Sequence, residues 1–85
     1  MEEVEFKFDT QLLIDGHDLD EDVIYDYIEE HFTGDSLLVV GDEELIKVHF
    51  HTNEPWLVLE YCASLGEIND IVVENMARQA QGLHG

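Results

Sequence analysis

The chain has 85 residues, and its 21 acidic and 3 basic side chains give a formal charge of −18 at pH 7. This charge repels nucleic acids and anionic membrane surfaces and so argues against both as partners. The hydrophobic fraction of 45% is ordinary for a folded protein and argues against disorder. Three explanations of the acidity stay open: a basic protein partner, bound cations, or a high-salt cytoplasm that screens the self-repulsion.

The length predicts one domain over residues 1–85, with a core at about residues 4–76 and a flexible tail at 77–85. A core of this size only narrowly offsets chain entropy, so dimerisation is expected to help it. The single cysteine excludes an internal disulfide. The start MEEVEFKF lacks a positive leader, and no segment is long enough to insert into a membrane, so we expect a cytoplasmic protein.

The first half of the chain predicts a strand followed by a helix. Residues 4–14 alternate between two faces, which indicates a half-buried strand with Asp9 on the outward face. The helix takes Asp20 as its N-cap and ends at Thr33–Gly34. Its predicted inward stripe is Ile24, Tyr27, Ile28 and His31.

The stretch GDSLLVVGDEELIKVHFHTNEP predicts a β-hairpin with strands at Ser36–Val40 and Leu45–Thr52. The second strand alternates with period two. Its inward residues are Ile46, Val48 and Phe50, and its outward residues are Lys47, His49 and His51. The two histidines are roughly 6.6–6.8 Å apart along the strand, so both imidazoles can reach one small ligand or ion.

The last part of the chain predicts a helix, a strand and a short second helix. The helix starts after a capping side chain within Thr52–Glu54, has proline in its first turn and continues to Leu65. Cys62 lies on its apolar face and is expected in the core. Residues 67–73 predict a strand with Ile71 and Val73 inward, and residues 74–81 predict a short helix.

The order strand, helix, strand, strand, helix, strand predicts an α+β, ferredoxin-like βαββαβ fold. In this fold a four-stranded antiparallel sheet carries two helices on one face. Right-handed crossovers place the first and third strands side by side at the centre of the sheet. Asp9 is then expected beside His49 and His51 on the open face, as a candidate site.

The hairpin sequence, followed by VLEYCASLGEINDIVVENMARQ, resembles the middle domain of the bacterial fatty acid kinase catalytic subunit, of the dihydroxyacetone-kinase-like family. The resemblance runs from about Phe8 to Gln79, and its GDSLxVVGDxxLxKVHxHTNxP pattern is specific. The family subunit normally carries an ATP-binding domain before this region and a domain related to fatty-acid-binding proteins after it.

The resemblance implies a catalytic role for His49 and His51, whose counterparts in the family work with a cysteine in a Tyr-Cys-Thr-Glu segment. This segment matches Phe8-Asp9-Thr10-Gln11, so Asp9 stands where the family has cysteine. A carboxylate can accept a proton, bind a cation or accept a phosphoryl group, but it cannot act as a thiolate. Two histidines and one carboxylate are also a known set of metal ligands, so Asp9, His49 and His51 are a candidate site for a divalent metal.

Three functions follow from these observations. The first is a stand-alone middle domain that assists phosphoryl transfer to an acyl substrate with separate ATP-binding and fatty-acid-binding proteins. The second is a non-catalytic dimerisation or regulatory module, and the third is a divalent-metal-binding protein. Whether the chain is itself an enzyme stays open. It has no glycine-rich phosphate loop, so ATP and magnesium are expected on a partner and no cofactor other than the divalent metal is expected on the isolated chain. A homodimer is the expected assembly.

Overall fold

The computed structural model describes residues 5–80 and contains a strand-rich fold with three helices within them. The elements are β1 (Phe8–Asp15), α1 (Glu21–His31), β2 (Gly34–Gly41), β3 (Leu45–Thr52), α2 (Pro55–Leu65), β4 (Glu67–Asn75) and α3 (Met76–Ala80). Val4, at the predicted start of the first strand, and residues 81–85 of the predicted tail lie outside the described residues. Within residues 5–80, no helix combines the length and apolar character needed to cross a membrane.

The four strands form one antiparallel sheet in the order β2-β3-β1-β4. The ferredoxin-like prediction is therefore confirmed, including the central position of β1 and β3. The difference lies at the end of the chain, where β4 continues to Asn75 and the short helix α3 begins only at Met76.

One hydrophobic core lies between the sheet and the helices α1 and α2. The inward residues predicted for β3 are buried: Ile46 and Val48 are 0% exposed and Phe50 is 2% exposed. The helices contribute Ile28 of α1 and Val58 of α2, both 0% exposed. Because the buried apolar residues of β1 and β3 all point to this side, the residues that alternate with them occupy the opposite, open face.

The prediction for α1 was correct for the cap and wrong for half of the stripe. The Asp20 carboxylate accepts hydrogen bonds from the backbone N–H groups of Asp22 and Val23, at 2.9 and 3.2 Å. Ile24 is buried, but Tyr27 is 39% exposed and His31 is also exposed. The sheet covers only the isoleucine side of this helix, and Tyr27 packs sideways across the surface instead.

The predicted cap of α2 was also wrong in part. Pro55 does occupy the first turn, but the N-cap residue Glu54 makes no side-chain capping hydrogen bond. Asn53 instead fastens the segment before β1: its side-chain amide donates to the carbonyl of Glu5, and its carbonyl oxygen accepts from the backbone N–H of Lys7. Asn53 therefore joins the end of β3 to the segment that precedes β1.

Ile71 and Val73 of β4 are less buried than the inward prediction implies, at 46% and 40% exposed, although Val73 lies opposite the buried Thr10 and so points to the covered face. The pairing of β4 with β1 shifts between Gln11 and Leu13, where β4 has one extra residue. Asp70 in this bulge has φ of 49°. Among the described residues of β4, only Ile68 packs against the core cluster, so the strand forms a lightly covered edge of the sheet.

Candidate functional site

The regular pairing of β1 with β3 places the candidate site on the open face. Asp9 lies directly opposite His51, and Gln11 lies directly opposite His49. Cross-strand partners point to the same face of a sheet, so all four side chains project to one side. Their inward neighbours Thr10, Val48 and Phe50 are buried, which fixes the orientation of both strands.

Three side chains converge there, and we call Asp9, His49 and His51 the DHH cluster. Nε2 of His49 lies 2.9 Å from Oδ1 of Asp9 and 3.1 Å from Nε2 of His51. Nε2 of His51 lies 3.7 Å from the same carboxylate oxygen. The side chains of the cluster are between 21% and 27% exposed, so they are packed on the sheet but reachable from solvent.

Hydrogen bonds alone do not satisfy this arrangement well. A neutral imidazole nitrogen either donates or accepts, and Nε2 of His49 faces both a carboxylate oxygen and a second imidazole nitrogen. If His49 donates its one proton to Asp9, it has no lone pair at Nε2 for a proton from His51. In the tautomer with the proton on Nδ1 of both rings, the three facing atoms all carry lone pairs that a shared cation would satisfy together.

The spacing of the three atoms also fits one metal ion. Ligand distances of about 2.0–2.2 Å in a tetrahedral site place neighbouring ligand atoms about 3.3 Å apart. The separations of 2.9, 3.1 and 3.7 Å in the DHH cluster lie on both sides of this value. Three protein ligands also leave one tetrahedral position open for a ligand, as in catalytic rather than structural metal sites.

Two residues around the cluster were not predicted as part of the site. The side-chain amide of Gln11 donates to the two carboxylate oxygens of Asp9, at 3.3 and 3.4 Å. A carboxylate oxygen of Asp35 lies 3.6 Å from Nδ1 of His51, on the ring edge that faces away from the cluster. Gln11 was recognisable from its outward parity on β1, whereas the position of Asp35 depends on strand pairing that the sequence does not reveal.

Gly34 allows β2 to approach the site this closely. A Cβ atom at this position would collide with the carbonyl oxygen of His51 and with the ring of Phe50. Asp35 pairs with His51 directly after this glycine. The glycine therefore brings the Asp35 carboxylate to the outer edge of the imidazole, where an acidic or carbonyl partner commonly orients a metal-binding histidine.

The other groups with reactive side chains lie apart from the cluster. Cys62 is 0% exposed in the core, as predicted, and its burial raises the pKa of the thiol from 9.0 to about 12. It cannot take the place of the family cysteine, because it lies on the helix-covered side of the sheet. Among residues 5–80, His17 and His31 do not belong to the DHH cluster, and His84 lies outside the described residues.

Comparison with known proteins places the chain in a family. Residues 5–83 match the FakA-like middle domain of fatty acid kinase. Protein YloV of Bacillus subtilis is 39% identical over 82 residues, which are 92% of this chain and 14% of YloV. The chain therefore corresponds to a small part of this relative.

Staphylococcal proteins show a higher sequence identity over a shorter stretch. Uncharacterized protein SSP1546 of Staphylococcus saprophyticus is 52% identical over 46 residues, which are 54% of this chain and 8% of that protein. Uncharacterized protein SAUSA300_1119 of Staphylococcus aureus matches to the same extent. The chain thus spans 8% to 14% of the length of the relatives it matches.

Proposed function

The chain belongs to the FakA-like middle-domain family of fatty acid kinase, and from this we propose that it assists phosphoryl transfer to an acyl substrate. In this proposal the ATP-binding domain and the acyl-carrying protein are separate partners. The observation that supports a direct role is the convergence of Asp9, His49 and His51 on the open face. A domain that served only as a spacer would not need three potential ligands within hydrogen-bonding distance.

We assign the DHH cluster the binding of one divalent cation, with zinc as the best fit to two imidazoles and one carboxylate. A bound cation would supply positive charge to the oxygens of a phosphoryl group. The chain's own residues hold the ligand set in place: Gln11 orients the Asp9 carboxylate, and Asp35 lies at the outer nitrogen of His51. The partial exposure of the cluster leaves room for a phosphorylated ligand to approach from the open face.

Zinc titration by calorimetry tests this proposal. We expect one zinc ion per unaltered chain, and His49→Ala or His51→Ala should weaken the affinity at least about 100-fold, because each removes a direct ligand. His17→Ala removes a histidine outside the cluster and serves as the matched control. Zinc binding that survives in both cluster variants would refute the assignment.

The pH dependence of zinc binding follows from the chemistry of imidazole. Only the neutral ring binds a metal, so zinc affinity should fall as the pH is lowered from 8 to 5. An affinity that is constant from pH 8 to pH 5 would indicate that carboxylates alone bind the ion.

A dimerisation module is the second candidate function, and exposed apolar side chains on the open face favour it. Leu38, Val40 and Val72 are between 42% and 45% exposed on strands of the same sheet. As the alternative to ligand binding at this face, we propose a homodimer in which these residues lie in the contact. Sedimentation equilibrium at physiological salt should then show twice the chain mass of 9.8 kDa. A single species of chain mass at high concentration would reject the homodimer.

A further inference from the structure

We propose that Lys47 is an anion-binding residue that holds the phosphoryl group of a ligand beside the DHH cluster. The proposal rests on the proposed function, because it gives the phosphoryl group a place at the same site. It concerns a residue on the cluster's own strand and face that takes no part in the cluster.

Lys47 follows the cluster along the open face of β3. It precedes His49 by two residues, so the two side chains point to the same side and their Cα atoms are roughly 6.6–6.8 Å apart. A lysine ammonium on its flexible four-carbon stem can cover much of this distance. A phosphate-sized group between the two residues could therefore contact the ammonium and the imidazole together.

Lys47 has no carboxylate directly opposite it in the sheet, and the diagonal Asp15 on β1 accepts a hydrogen bond from Asn69 instead. Its cross-strand partners are the apolar residues Leu13 on β1 and Val40 on β2. No carboxylate oxygen is found in an ion pair with Lys47 in the part of the chain that the structure describes. In a chain with 21 acidic residues, an exposed ammonium between two apolar neighbours is left available for an external anion.

The other basic residues are differently placed. The ammonium of Lys7 stands 5.9 Å from the ring centre of Phe8, before β1, and Arg78 lies on α3. Lys47 is therefore the only lysine or arginine on the four described strands. Because a net charge of −18 repels anions at long range, an anion can bind only where a local cation offsets the repulsion.

The chemistry of the cluster favours a phosphoryl group over other anions. Phosphate oxygens accept hydrogen bonds from an ammonium and from imidazole N–H groups, and they are also good ligands for a divalent cation. Lysine binds phosphate as a point charge and does not impose the planar geometry that arginine does. Lys47 and the cluster thus offer complementary contacts to different oxygens of one group.

The test is a titration of the chelator-treated, metal-free chain with inorganic phosphate at constant ionic strength. The amide resonances of Lys47, Val48 and His49 report binding by NMR. Lys47→Gln should weaken the phosphate affinity about tenfold, the loss expected for one charge-assisted hydrogen bond at a solvated site. Lys47→Arg keeps the charge and should retain most of the affinity.

Matched controls separate local binding from long-range charge. Lys7→Gln and Arg78→Gln remove the same unit charge from other parts of the surface and should change the affinity by no more than about twofold. Equal losses in Lys47→Gln and in these two variants would overturn the proposal, as would the absence of phosphate-induced shifts at Lys47 and His49. Failure of the unaltered chain to bind zinc would refute the metal assignment instead, because phosphate is titrated without metal.

Discussion

The strands β3 and β4 both pair with β1, but they differ in regularity. β3 pairs with β1 through eight consecutive residues, from Thr52 opposite Phe8 to Leu45 opposite Asp15. β4 pairs with the other edge of β1 and shifts register at a bulge around Asp70. β3 is central and bears the two histidines of the DHH cluster, whereas β4 is an edge strand. The comparison shows that simple alternation predicts the side-chain positions on a central strand without interruptions. It does not predict side-chain burial on an edge strand with a bulge.

The largest expected difference between the two strands is in side-chain burial. Ile46 on β3 is 0% exposed and Ile71 on β4 is 46% exposed. Ile46→Ala should lower the free energy of unfolding by about 2–5 kcal/mol, whereas Ile71→Ala should lower it by less than about 1 kcal/mol.

Urea unfolding of the two alanine variants measures this difference. If Ile46→Ala does not fold, Ile46→Val provides a milder change, with an expected loss of about 0.5–1.5 kcal/mol. Equal losses at the two positions would show that β4 is packed as firmly as β3.

The exclusion of solvent from the helix-covered side of β3 can be tested through Cys62, which lies in the same core cluster. Burial raises the pKa of its thiol to about 12, so the folded protein keeps the neutral thiol at a pH where the unfolded chain forms thiolate. The resulting stabilisation is complete below pH 9 and is lost as the pH rises toward 12. The free energy of unfolding should fall by up to about 1.4 kcal/mol per pH unit in that window.

Denaturant unfolding between pH 8 and pH 11 tests this loss, with Cys62→Ala as the control. The variant should show a flatter pH dependence, although the pKa of Tyr61, which burial also raises, contributes a loss in the same direction. Identical pH dependence in both proteins would mean that the covered face opens readily to solvent.

A smaller effect is expected at the bulge of β4. Asp70 has φ of 49°, a conformation that β-branched residues strongly disfavour. Asp70→Val should therefore lower the free energy of unfolding by about 1–2 kcal/mol, and Asp70→Gly should be close to neutral. In a regular strand valine would be stabilising instead. The sign of the change on thermal unfolding thus decides whether the bulge exists.

The sequence predicted the fold and the residues of the cluster for the same physical reason. Alternation along β1 and β3 placed Asp9, His49 and His51 on one face, and the βαββαβ order placed their strands side by side. The convergence of the three side chains then required no unusual backbone in either strand. The metal-binding and catalytic roles of these residues remain predictions.

The structural features that could not be predicted depend on contacts between residues that are far apart in the sequence. The bulge at Asp70 involves neither glycine nor proline, so nothing local indicated that Ile71 and Val73 would be exposed. Tyr27 fits a helical stripe, but it stacks on Tyr61 of α2, with ring centres 3.9 Å apart, and stays outside the core. Asp35 reaches His51 only through a strand pairing that itself contains an irregularity at residues 35–38.

The central claim is that residue 9 shares one metal ion with His49 and His51, and cobalt spectroscopy of Asp9→Cys tests it most directly. A thiolate bound to Co²⁺ gives an intense near-ultraviolet charge-transfer absorption, and a thiolate that is not bound does not. Cys62 is buried with its pKa raised to about 12, so it should not contribute. We expect the band in Asp9→Cys, its loss when His49→Ala is added, and no such band in the unaltered chain. Cobalt binding by Asp9→Cys without the band would contradict the claim, because residue 9 would then lie outside the metal's ligands.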